Sequence, residues 1–136
     1  MAANTVPIFP KAGLISWGTI TTANTAKDGT GTVVTIFTAD ATNGSRIDSI
    51  IVRALGTNVA TVLRVFINNG SVNSTATNNS LYSETTIAAT TLSEVAALAN
   101  TAIPLNLVLP AGYKINITIG TTVAAGLSVT ATGGTY

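Results

Sequence analysis

The feature that most restricts this 136-residue chain is an alternation of apolar and polar residues with a period of two. From Tyr113 to Ile119, the residues Tyr113, Ile115, Ile117 and Ile119 alternate with Lys114, Asn116 and Thr118. Successive side chains of a strand point to opposite faces, so this pattern predicts a strand with one face buried. Leu105, Leu107 and Leu109 repeat it just upstream, and Leu109-Pro110-Ala111-Gly112 stands between the two segments. Proline pre-sets φ at the first central position of a turn and glycine closes it, so the pair is expected to form a hairpin. Further strands are expected over 32–38, 46–55, 59–67, 81–87 and 126–132, each rich in Val, Ile, Thr, Phe or Tyr. Asn43-Gly44 and Gly56-Thr57-Asn58 supply turns between the first three of these. Residues 68–80 read as a polar surface loop, and 92–98 as strand or irregular, since LSEVAAL is too short to stand alone as a helix. Seven to nine short strands without a useful helix predict an all-β fold: an antiparallel β-sandwich, jelly-roll-like, in one domain over 13–136.

Residues 1–12 break the pattern. Pro7 and Pro10 bracket Ile8 and Phe9, which excludes helix and disfavours a central strand. An extended N-terminal arm is expected, and its apolar side chains would be wasted in water. It either docks on a neighbouring molecule, folds over its own domain or is simply disordered. Pro7, Pro10 and Lys11 also interrupt any secretory core, and no apolar run approaches the roughly 20 residues that span a bilayer, so the chain is expected to be made and kept in a cytosol.

Charge then limits the chemistry. Charged residues are only 8% of the chain against a usual share near 25%, and the net charge is +1. A polyanion would find no field to hold it, so no nucleic-acid partner is expected. With neither His nor Cys, imidazole and thiolate metal sites, cysteine nucleophiles, Ser-His-Asp triads and disulfides are excluded. The five carboxylates, Asp28, Asp40, Asp48, Glu84 and Glu94, show no spacing that marks a glycosidase pair or a calcium loop. Asp28-Gly29-Thr30-Gly31-Thr32 lacks the lysine and following helix of a phosphate cradle and reads as a turn feeding a strand. No catalytic residue, cofactor, metal or membrane partner is therefore expected.

What charge there is draws notice. Arg46 and Asp48 lie two apart and share a strand face, which Arg53 opposes if alternation holds. These arginines and Arg64 either pair across strands, contact a second subunit, where Arg is favoured over Lys, or are ordinary surface residues. Trp17, the sole tryptophan, either caps the end of the sandwich core or, if exposed, stacks on a sugar together with the 68–80 loop.

The arm ANTVPIFPKAG, the DGTGT loop, the stretch GSRIDSIIVRALGTNVATVLRVFINNG and the closing LPAGYKINITIG together resemble the small virion proteins of tailed bacteriophages, most of all capsid decoration (cement) proteins. The resemblance covers most of the chain and rests on length, composition and strand pattern. It implies a β-rich body that assembles as a homotrimer at three-fold and quasi-three-fold positions on the capsid's outer surface and clamps the major capsid protein. The partner-binding residues it suggests are the arm, Thr5, Val6, Pro7, Ile8, Phe9, Pro10 and Lys11, to which the residue reading adds Arg46, Arg53 and Arg64. Two other expectations stand beside it: a phage tail or fibre-associated adhesion module, and a carbohydrate-binding sandwich.

Overall fold

The computed structural model describes residues 9–136. Eight strands follow in chain order: β1 (Ala12–Ile20), β2 (Val34–Thr38), β3 (Ser45–Ala54), β4 (Thr61–Asn68), β5 (Asn79–Ile87), β6 (Asn100–Leu109), β7 (Lys114–Ile119) and β8 (Leu127–Thr135). They form two four-stranded antiparallel sheets, a β-sandwich. Sheet A runs β1-β8-β3-β6 and sheet B runs β2-β7-β4-β5. Seven strands coincide with expected ones. The eighth, β1, lies where only the arm and its sequel were read, because GLISWGTI carries apolar residues at both parities and so shows no clean alternation.

The turns are where the sequence puts them and join the strands expected, yet three of them link strands of different sheets and close no antiparallel pair. Tyr113 N–H donates to the Pro110 carbonyl at 3.2 Å and Gly112 takes φ 76, so the Leu109–Gly112 turn forms. It does not close a hairpin, however. β6 pairs with β3 in sheet A, whereas β7 pairs with β2 and β4 in sheet B. The turns after β2 and β3 likewise carry the chain from one sheet to the other. Crossing lets Leu105 and Leu109 on one side, and Ile115, Ile117 and Ile119 on the other, bury against each other between the sheets. A flat hairpin would leave both apolar faces seeking a partner. β4 and β5 are the one consecutive pair in a common sheet, and the polar 69–78 segment joins them.

The core fills the space between the sheets with Ile36, Phe37, Ile47, Ile50, Leu63, Val65, Leu127 and Val129 beside the residues just named. On the β1/β2 side the sandwich is drawn together by the Ser16 hydroxyl, which donates to the Ile36 carbonyl. Residues 88–99 are irregular and carry the chain from β5 to β6.

The outer face of sheet B is not solvated as a one-sided strand pattern predicts. Phe66, Asn116 and Thr118 point away from the core but are 0–3% exposed. The β1–β2 loop, 21–33, roofs them. Asn24 N–H donates to the Ile119 carbonyl on β7, while Asn79 at the start of β5 and Asn73 donate to the carbonyls of Asp28, Gly29 and Gly31. Gly29 and Gly31 hold φ near +80, a left-handed conformation that glycine adopts without strain. The asparagine-rich composition thus has a structural use: amides supply donors and acceptors that fasten a loop where charge is scarce.

Candidate functional site

Sheet A presents the opposite case. Its outer face carries no roof among the described residues. Strand register sets the side chains in rows across it. Trp17 pairs with Thr130, Thr130 with Ile51, and Ile51 with Ala102. The next row runs Ile15, Thr132, Ser49, Pro104, and the row on the other side runs Thr19, Ser128, Arg53, Asn100. Trp17 is 70% exposed, Ile15 62% and Val108 62%. Large apolar side chains held this far into water across one face mark an interaction surface more than scattered single ones do. Trp17 therefore does not cap the core, as one reading of the sequence had it. Leu14, Ser16, Gly18 and Ile20 take the inward parity of β1 and leave Trp17 on the outside.

A bulge puts both arginines of this strand on one face. Ile47 and Ile50 both point into the core although three residues apart, because the register of β3 shifts at Asp48 against both neighbours. One extra residue flips the parity of the strand beyond it. Arg53 consequently shares the outer face with Arg46 and does not oppose it. Arg46 Nε donates to Asp48 Oδ1 at 2.7 Å, and this hydrogen bond raises the guanidinium pKa further above its ordinary value. Arg53 is exposed and has no ion-pair partner among the described residues.

Arg64 belongs elsewhere. It sits on the outer face of sheet B, 8% exposed, with Nε donating to Glu84 Oε1 on β5 at 2.8 Å. It is committed to its own sheet. Of the other carboxylates, Asp28 accepts from the Thr30 hydroxyl and N–H, and Asp40 from the N–H groups of Asn43 and Thr42. These donors hold both carboxyls below the usual aspartate range. Four of the five carboxylates are thus occupied with turns or arginines, and no group of three metal-ligating side chains exists among the described residues.

Of the expected arm contacts, Thr5, Val6, Pro7 and Ile8 lie outside the described residues. Phe9 is 76% exposed. Pro10 packs on Gly134, where a side chain would collide with it, and Lys11 N–H donates to the Thr135 carbonyl, so the chain enters β1 across the end of sheet A. A groove of about 570 Å³ lined by Lys11, Asn43, Val108 and Tyr136 opens beside that entry. The 68–80 segment, paired with Trp17 in the sugar-binding expectation, joins β4 to β5 in sheet B and bonds through Asn73 to the 21–33 loop, while Trp17 faces outward from sheet A.

Ile15, Ile51, Pro104 and Val108 are members of the surface that sequence reading missed. The alternation that could have found them is masked by apolar residues on both faces of β1 and by the bulge in β3. Compared with protein-family models, with curated proteins and with solved structures, the chain finds no match.

Proposed function

We propose that this chain is a structural virion protein that decorates and stabilises a bacteriophage capsid, binding the major capsid protein lattice as a homotrimer at three-fold and quasi-three-fold positions of the outer surface. One observation carries the reading: large apolar side chains stand in water, with Phe9 at the entry to β1 and Ile15, Trp17 and Val108 on sheet A, besides others such as Val72 and Val95 on loops. Supporting it, the order β1-β8-β3-β6 over β2-β7-β4-β5 fits a jelly roll, a double-sheet architecture found in viral capsid domains. The residues before β1 act as the extended arm that clamps the lattice. Contacts that exist only in the assembled shell stabilise it by mass action, and many copies strengthen one another through multivalency.

Removing residues 1–11 tests this. β1 begins at Ala12, so the truncated body should keep its circular dichroism spectrum while losing attachment to purified capsids. Equal occupancy of truncated and full-length protein would refute the proposal, and recovery in tails in place of heads would favour the adhesion module. The exposure of Trp17 favours one further reading, a flat glycan platform. Since the chain has a single tryptophan, quenching of its fluorescence by a glycan panel decides that question.

A further inference from the structure

We propose that the outer face of sheet A is a two-fold interface between two copies of this chain, with the axis running along the row Trp17, Thr130, Ile51, Ala102. This rests on the assembly reading above for self-association alone: the self-contact covers Trp17 and Ile15, so attachment to the lattice falls to Phe9 and the rest of the arm.

The size of the face suits a second copy. Four strands at about 4.8 Å spacing and nine residues at about 3.3 Å rise give about 600 Å² per molecule. Two such faces bury about 1,200 Å², the lower end of the range for specific interfaces. Sheets stack face to face at about 10 Å with their strands within about 30° of each other, so β3 can lie antiparallel over β3.

The arrangement of side chains is self-complementary under that operation. The axial row carries no charge, and each of its residues meets its own counterpart, Ile51 on Ile51 at the centre and Trp17 on Trp17 at the margin. The operation exchanges the flanking rows. Arg53 of one copy comes over Ser49 of the other, beside Asp48, whose Oδ1 already receives Arg46. A lone cation on one side of the axis thus meets a carboxylate on the other, twice. Ile15 and Pro104 fall opposite Thr19 and Asn100, and on each side Arg53 and Arg46 share the one Asp48 carboxylate. Sheet B offers no equivalent, because the middle of its outer face, at Phe66, Asn116 and Thr118, is buried and only edge residues such as Leu81 and Glu84 reach water.

Sedimentation equilibrium of the full chain should give twice the 13.7 kDa chain mass, or an even multiple of it where three-fold contacts form as well. Ile51→Arg sets two like charges together on the axis and should weaken the pairing at least tenfold with an unchanged circular dichroism spectrum. Since the chain has no cysteine, Ala102→Cys gives a single thiol beside the axis. It should cross-link to itself with a short bis-maleimide, whereas Val72→Cys, exposed on the loop after β4, should not. The thiol experiment keeps its force even where Ile51→Arg fails to fold. A single-chain or odd-multiple mass at every concentration overturns the proposal. So does a dimer in which Ala102→Cys cross-links no better than Val72→Cys. Capsid attachment is measured separately, so failure here is distinct from failure of the decoration reading.

Discussion

Replacing Asn79 by alanine tests whether amides hold the roof of sheet B. Asn79 Nδ2 donates to the carbonyls of Asn73 at 2.8 Å and Asp28 at 3.1 Å, while its Oδ1 accepts from Asn68 Nδ2 at 2.8 Å. Asn68 is fully buried, so losing its acceptor leaves a desolvated N–H, at a cost of about 1–3 kcal/mol. The part-buried bond to Asn73 adds about 1 kcal/mol, and the exposed bond to Asp28 adds little. The expected total is about 3 kcal/mol, read as a lower urea midpoint at constant slope, or as a melting temperature lower by about 10 °C for a domain of this length. Asn78→Ala is the control. It removes two amide bonds, to Val72 and Asn69, against the three named for Asn79, and both lie in solvent, so about 1 kcal/mol or less is expected. Equal losses for the two variants would refute the claim that burial, and not bond number, sets the contribution of these asparagines.

Three further outcomes are expected from the packing. Gly133→Ala should cost at least about 3 kcal/mol or prevent folding, because its Cβ would strike the Arg46 carbonyl of the neighbouring strand and part β8 from β3; chemical denaturation measures it. Glu84→Ala should cost about 1–2 kcal/mol by stranding the buried Arg64 charge, a figure reduced by the half-exposure of the glutamate, whereas Arg64→Met with Glu84→Leu should be nearly neutral in the same assay. The double change also removes Arg64 Nη1, a buried donor without a partner among the described residues. The Asn43 and Thr42 N–H groups lower the Asp40 pKa, so its contribution is complete above the ordinary value of 3.8 and is lost as pH falls through the lower folded value. Urea midpoints should therefore fall below about pH 4, and Asp40→Asn should flatten part of that fall.

Local patterning made much of this fold legible. Seven of eight strands, the polar loop before β5 and the turn positions all come from alternation, β-branched content and Gly/Pro placement, since each is fixed within a few residues of chain, whereas 92–98 read equally as strand or irregular. The sandwich comes with them, because strands with an apolar face must bury it against another sheet. The sequence does not encode in any short window which sheet a strand joins. Leu109-Pro110-Ala111-Gly112 bends the chain equally well for a hairpin or for a crossing, and only the core between the sheets selects the crossing. Arg53 shares a face with Arg46 because the register breaks at Asp48, where β3 carries one extra residue against β8 and β6 carries one extra against β3. Trp17 stands in water, and Phe66 does not, because loop 21–33 reaches across sheet B and nothing described reaches across sheet A. Alternation gives a side chain its side of the strand; what lies on that side is decided by segments distant in sequence.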